Sequence, residues 1–317
     1  MLSRLRRANS VAILKYHSVQ DHLGTKAEVI GRGIVQSATV FSEQMEILAK
    51  HFNPVSLDDV SDFLLDRRTP PRRAIAITFD DGFRDNFEIA APILEKFGLR
   101  ATFYITAGCV ESGLSPWFCR LRQAFLTSKV QKWTDPVNGQ SWSLLNHTDW
   151  KTAGRNVTLA LARLAGEAQE SLLQTIEHGL ESQPLDSKDR LMMNWDEMKS
   201  LRQRGHLIGS HTISHPNLAH ISLDDAMVEL CRSKEILEKH LGEEIIHFSY
   251  PSPILQPHWT EQTRAMTSKI GYRTAVTCAS GAASRKNHPL SLPRVITATD
   301  HTDFVWNIES SFLGHSP

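Results

Sequence analysis

The chain has 317 residues, with 35 Lys plus Arg against 35 Asp plus Glu, so no global field favours nucleic acid or an anionic membrane, and a charged partner has to be met locally. That length can bury a large core, either as one barrel or as two ordinary domains, and one barrel with an insertion is the expectation here. The four cysteines, Cys109, Cys119, Cys231 and Cys278, form no CxxC pair, which argues against a zinc ribbon or disulfide framework and for buried thiols in a reducing compartment.

The basic start, Met1 to Arg7, leads only to the short apolar run Val11-Ala-Ile-Leu14, too short for a secretory signal. Nowhere do about 18 apolar residues follow one another, so no transmembrane span is expected and a cytoplasmic location is the default. Ser10 to Val19 reads as a buried strand with His17 at its end, and residues 20 to 40 as a loop. Phe41, Met45, Leu48 and Ala49 share a helical face, and a second helix follows from Leu57 to Leu65, capped by Ser56 or Asp58. Arg67, Arg68, Arg72 and Arg73 mark a solvated turn. The chain then enters Ile75-Ala-Ile-Thr-Phe79, a β-prone run that delivers Asp80, Asp81 and Gly82 to a strand end. Barrel enzymes keep their chemistry at that place. Phe87, Ala90, Ala91, Ile93, Leu94 and Phe97 form the next helix, stopped at Gly98, and Ala101 to Thr106 the next strand.

From about 110 to 190 the pattern changes to turn residues interleaved with Trp117, Trp133, Trp142 and Trp150, a helical and loop segment inserted between core strands. Trp117, Leu121, Ala124 and Phe125 make an apolar stripe flanked by Arg120, Arg122 and Lys129. Such a helix ordinarily packs on its own domain, but beside an active site it can make peripheral contact with a lipid-linked or anionic substrate. Thr158 to Ile176 reads as one further amphipathic helix.

A second block carries chemistry. Asn194 caps a helix running to Arg204, Gly205 stops it, and the short strand His206 to Gly209 ends near His211 and His215. Two imidazoles four residues apart can converge on one divalent ion, zinc or a first-row neighbour, and either Asp80 or Asp81 offers a carboxylate to complete three ligands with an open position. A helix from Thr260 to Ile270, a strand from Arg273 to Cys278 and a closing helix from Asp300 to Leu313 complete the chain, which has no internal repeat.

Thr78-Phe-Asp-Asp-Gly82, His211-Thr-Ile-Ser-His-Pro216 and Phe248-Ser-Tyr-Pro251 resemble the successive motifs of the polysaccharide deacetylases, the nodulation-factor-deacetylase homology domain of carbohydrate esterase family four. Tyr16-His-Ser-Val19, Phe41 with its helix, and Leu292-Pro-Arg294 are similar to the exopolysaccharide N-deacetylase branch. The resemblance runs from about residue 11 to about residue 300, outside much of the insertion. It implies one α/β catalytic domain over 1–317, a distorted (β/α) barrel with fewer than eight strands. Asp81, His211 and His215 are then the ligands of a divalent metal, zinc first, with cobalt or nickel as alternatives. Asp80 is the general base, since an aspartate on the ion is fixed as an anion while its neighbour is free to accept a proton. The backbone amide of Tyr250 is the oxyanion donor.

Two departures from the family pattern matter. The arginine that usually opens the third motif is replaced at Phe248 or an adjacent residue, and Arg294 is expected to reach Asp80 instead and keep it anionic. The histidine that usually serves as general acid has no clean copy, which leaves His17, His288 and His301 as candidates. The implied activity is removal of N-acetyl groups from an amino sugar in a polysaccharide, glycolipid or glycan precursor. Hydrolysis of a cyclic imide or ureide on the same fold, or glycan binding without catalysis, are the rival readings.

Overall fold

The computed structural model describes residues 9–145, 147–183, 190–251 and 254–314. Seven short parallel strands form its centre: β1 (Ser10–Tyr16), β2 (Ala74–Phe79), β3 (Thr102–Ile105), β4 (Leu207–Ser210), β5 (His247–Ser249), β6 (Thr274–Ser280) and β7 (Leu292–Ile296). Each pairs in parallel with the next in this order. Leu14 of β1 then meets Val295 of β7, which closes the sheet into a barrel. Closure removes the open edges that such apolar strands would otherwise expose.

Strand periodicity decides what faces inward. Along β1, Val11 and Ile13 belong to one apolar cluster, and Ala12, Leu14 and Tyr16 to another. Along β2, Ala74 and Ala76 join the first group, and Ile75, Ile77 and Phe79 the second. The second group packs on helices, while Val11, Ile13, Ala74, Ala76, Val276, Leu292 and Tyr104 fill the interior. Thr78 and then Asp80 continue the inward parity of Ala74 and Ala76.

Around the barrel lie α1 (Thr25–Ile30), α2 (Ala38–His51), α3 (Leu57–Leu64), α4 (Ala91–Lys96), α9 (Trp195–Gln203), α10 (Leu223–Leu241), α11 (Glu261–Ile270) and α12 (His301–Phe312). Local chemistry sets their starts. Ser56 with Asp59 and Asn194 with Glu197 close reciprocal capping boxes on α3 and α9, and Asp300 caps α12. Phe41 of α2 meets Tyr16 and Phe79 at ring-centre distances of 5.1 and 5.7 Å, pinning that helix to β1 and β2.

The insertion holds α5 (Ala107–Ser112), α6 (Trp117–Thr127), α7 (His147–Leu161) and α8 (Gly166–Gly179), with a hairpin of Lys132–Thr134 and Ser141–Ser143. Its apolar residues form a cluster of their own with Val29, Ile30, Phe83 and Met192. Three sequence expectations change here. The first strand ends at Tyr16, and Ser18–Gln20 pairs instead with Val35–Ser37, so the region taken as a loop contains α1 and a two-stranded ribbon. The single helix expected from Thr158 is the end of α7 and all of α8. Buried Gln169 donates to the Leu161 and Leu164 carbonyls at 3.0 and 2.9 Å, which satisfies the end of α7 and stops it.

Asp85 fastens the ribbon to the barrel. Its carboxylate accepts from the Ser18 hydroxyl at 2.6 Å and the Val19 amide at 3.3 Å, and burial pushes it up to about 6. A carboxyl raised on folding favours the fold below the ordinary aspartate range, and that advantage is lost as pH rises through its folded value. Urea midpoints should therefore show wild type losing ground to Asp85→Asn between about pH 4 and pH 7. A constant difference across that window would remove the buried-acid account.

Candidate active site

The site is built from the carboxyl ends of β2, β4 and β7. Asp80 extends β2, with its amide donating to the Tyr16 carbonyl at 3.0 Å. The next two residues are left-handed, Asp81 at φ 76° and Gly82 at φ 88°, a conformation that glycine accepts freely and aspartate with some strain. The result is a tight reversal, closed by the Gly82 amide on the Asp80 carbonyl at 3.0 Å. It turns the two adjacent carboxylates apart.

Asp80 points into the barrel mouth, where Arg294 of β7 grips both of its oxygens at 2.7 Å. Arg294 is itself 1% exposed, and its Nε donates to the Thr277 carbonyl at 2.9 Å. Burial alone would raise the Asp80 carboxyl, but Arg294 beside it holds it well below the usual carboxylate range. His17 stands on the other side, with Nε2 3.8 Å from Asp80 Oδ2. Burial pushes its imidazole down to about 4, against the pull of Asp81 and Asp80, so it is neutral at neutral pH.

Asp81 points the other way, toward the histidines that follow β4. His211 Nε2 lies 3.5 Å from Asp81 Oδ1, and His215 Nε2 lies 3.4 Å from the same oxygen. His211 Nδ1 faces the Ser249 carbonyl at 2.7 Å; it must carry the proton there, leaving Nε2 with its lone pair toward Asp81. Asp81 Oδ1 is buried without a hydrogen-bond partner. A buried carboxylate oxygen facing the His211 lone pair, with the His215 Nδ1 also lacking a partner, is poorly satisfied by protein alone. Two imidazole nitrogens and one carboxylate oxygen, all within 4.8 Å of one another, instead match a divalent cation with positions left open. The residues fit the metal that the motifs imply.

The loop between the histidines is clamped from both sides. Thr212 and His215 are left-handed, at φ 69° and 59°. Ala107 and Gly108 donate to the Thr212 and Ile213 carbonyls at 2.9 and 3.0 Å. A Cβ on Gly108 would lie 2.6 Å from the Ile213 oxygen, so only glycine allows this approach. From the opposite side, buried Glu229 of α10 accepts from the Ile213 and Ser214 amides at 2.7 and 3.0 Å and from the Ser214 hydroxyl at 2.6 Å. Glu229 is not among the site residues expected from the sequence. The available signal was a charged residue on the same helical face as Ala226, Leu230, Ser233 and Leu237.

Of the expected site residues, Asp80, Arg294 and His17 meet at one spot and Asp81, His211 and His215 at the next. Tyr250 requires correction. Its amide donates to the Val276 carbonyl at 3.1 Å, and its hydroxyl reaches Thr267 Oγ1 at 3.2 Å and the Leu290 carbonyl at 3.1 Å. The parallel pairing of β5 with β6 runs one residue further than the motif suggested and takes up that amide; residues 252 and 253, which follow, lie outside the described residues. His301 pairs with Glu43 at 3.0 Å on the surface, and His288 Nδ1 accepts from the Leu290 amide of its own loop at 3.1 Å. His17 is the histidine among the three that reaches Asp80.

This barrel and site belong to a recognisable class. The family model for polysaccharide deacetylases matches residues 67–275, and the chain belongs to that family. YxkH of Bacillus subtilis, itself assigned to the polysaccharide deacetylases, is 22% identical over 284 residues, 89% of this chain and 70% of its own length. Among solved structures, the Streptococcus pyogenes deacetylase PplD in complex with acetate aligns with a TM-score of 0.64 at 20% identity, covering 96% of this chain and 99% of that one. IcaB from Ammonifex degensii aligns at 0.61 and 17% identity, covering 96% and 98%. At such identities the structural likeness establishes the barrel. Among the described residues, no helix is long and apolar enough to cross a membrane.

Glu229→Ala should release the histidine loop without touching a ligand. Zinc affinity, measured by competition with a chromogenic chelator, is expected to fall about 10–100-fold, as for other groups that orient metal ligands. Unchanged affinity would mean that the Ala107 and Gly108 contacts hold the loop unaided.

Proposed function

We propose that this protein is a metal-dependent deacetylase that hydrolyses the N-acetyl amide of an amino sugar in a glycan or glycan precursor. The observation that carries the proposal is the separation of two neighbouring aspartates into a ligand-type carboxylate beside two histidines and an arginine-clamped carboxylate beside a third. Asp81, His211 and His215 would hold the ion, zinc by the chemistry of the donor set. A metal at this place supplies Lewis acidity toward the acyl oxygen and makes water more acidic.

The chain's own residues divide the proton work. Asp80 is anionic at every working pH because Arg294 holds it so, and each of its oxygens keeps a second lone pair for the attacking water. Clamping makes it a weak base, but it fixes the direction of proton transfer. His17, neutral and on the far side of Asp80, is placed to hold the proton and pass it to the departing amine. Burial of Asp80 and Arg294 keeps bulk water from competing for these contacts.

The test is acetate release from acetylated oligosaccharides, sugar nucleotides and lipid-linked sugars, with and without chelator and added zinc. Zinc-dependent release from one of these classes is expected, and none from any with metal bound would overturn the proposal. Arg294→Ala should retain its zinc and lose about 100-fold or more in kcat, in the range for a misplaced proton-transfer group, with Arg294→Lys intermediate. His17→Asn should lower kcat and change one limb of the pH profile. Full activity in Arg294→Ala would refute the base assignment.

A further inference from the structure

Strand β1 delivers a second cation to the barrel mouth. Val11 and Ile13 face the interior, and the same alternation brings Lys15 and then His17 to the inner wall. Lys15 lies level with Thr78 of β2 and Ile296 of β7. Its Nζ reaches past β7 and donates to Cys278 Sγ of β6 at 3.6 Å. Arg294 starts one residue pair deeper, since Leu14 meets Val295, and rises from there to Asp80. The two cations are matched differently. Asp80 meets Arg294 with both oxygens. Lys15 has no carboxylate partner among the described residues, and a thiol is a weak acceptor for an ammonium.

The mouth is unevenly exposed. On the metal-ligand side Asp81, His211 and His215 are at most 7% exposed. On the opposite side Ile296 is 48% exposed, and Lys15 and Cys278 are partly exposed. Among the described residues, the open side of the mouth therefore lies over β1, β7 and β6. His17 stands between the two sides, 3.8 Å from Asp80 and two residues beyond Lys15. Burial does most to hold its imidazole down, and the Lys15 charge adds to that, as it does at His258 in the segment after β5. The ammonium is thus near both histidines.

We propose that Lys15 binds an anionic substituent, a phosphate or a carboxylate, of the amino sugar that is deacetylated; this rests on the deacetylase reading. In that reading the acyl group meets Asp81 and the histidines beside it, and the leaving amine faces His17. The sugar carried by that amine then lies on the open side, where Lys15 stands. Charge points the same way. Asp80 and Arg294 cancel, Asp81 would be spent on the ion, and His17 is neutral, so Lys15 leaves the mouth with a positive charge that a neutral sugar does not use. In a chain with 35 basic and 35 acidic residues this excess is local. A compact ammonium partly removed from water is matched best by a full negative charge.

Ligand-observed NMR titration of the full, metal-free chain with N-acetylglucosamine, N-acetylglucosamine 1-phosphate, N-acetylmuramic acid and inorganic phosphate tests the site. One of the two charged sugars is expected to bind about tenfold or more tighter than the neutral one, and which of them does so decides between phosphate and carboxylate. Lys15→Met and Lys15→Gln should each erase that preference while zinc affinity is kept, and either variant suffices if the other fails to fold. No preference in the wild type, or a preference that survives the substitution, overturns the proposal. So does inorganic phosphate bound as tightly as the preferred sugar, which would mark a free-anion site. In the zinc-loaded enzyme, loss of Lys15 should appear in KM for the charged sugar. An equal fall in kcat on charged and neutral sugars would instead make Lys15 a group that tunes His17, and would also overturn the proposal. Acetate release from neutral oligosaccharides without any binding preference for a charged sugar would sink the anion site alone. A preference in binding without release from any acetylated sugar would sink the deacetylase reading and leave the anion site standing.

Discussion

A two-residue left-handed turn holds this site together. Asp80 and Asp81 are adjacent in the chain, and in an extended strand their carboxylates would simply alternate across the sheet. The positive φ at Asp81 and Gly82 ends the strand immediately after Asp80 and reverses the chain, so that one carboxylate enters the barrel and the other meets two histidines. Such a conformation costs about 1–2 kcal/mol for a residue with a Cβ, and it persists because its neighbours over-determine it. The Gly82 carbonyl accepts from the Met193 amide at 3.0 Å and the Asp81 carbonyl from Thr106 at 3.2 Å. The strap formed by Phe83 and Met192 ties the first motif to the segment that leads into the second.

The Asp80 and Arg294 pair sets a different constraint. Burying two full charges is expensive, and it is tolerable only with good geometry and further hydrogen bonds. Both conditions hold, since the pair is bidentate and two further Arg294 N–H groups find Thr277 and Thr78. Arg294 shares the inward parity of Leu292 on the last strand, which brings its guanidinium to the barrel mouth. The arginine therefore arrives from the last strand rather than from the third motif, and the same carboxylate is served from another direction.

The insertion changes what surrounds the site without entering the barrel. Its core is separate from the cluster that packs the barrel helices, and it touches the loop of His211 and His215 through the Ala107 and Gly108 amides and through Trp117 and Phe118 on His215. Arg120, which the sequence pattern placed on a basic flank, is instead turned inward onto Glu170 and Glu177 at 2.7 Å. Arg122 is turned onto the Ile30 carbonyl at 2.7 Å, and exposed positive charge remains on α7 at Lys151 and Arg155, so the basic character of this segment has become local.

Much of this was legible in the chain. Strand ends carrying Asp80, Asp81, His211 and His215, the helix starts at Ser56, Asn194 and Asp300, and the position of the insertion all follow from local patterns: alternation of apolar residues, capping side chains, and glycines at turns. These act over a few residues, so the sequence determines them by itself. The partnership of Asp80 with Arg294, 214 residues apart, was expected only through the family resemblance; its two-pronged geometry, the hold of Glu229 on the histidine loop, and the use of the Tyr250 amide by the Val276 carbonyl are decisions of the closed barrel. Register between strands and the crossing of helices over loops depend on the summed packing of distant segments, and no short window of sequence contains that sum.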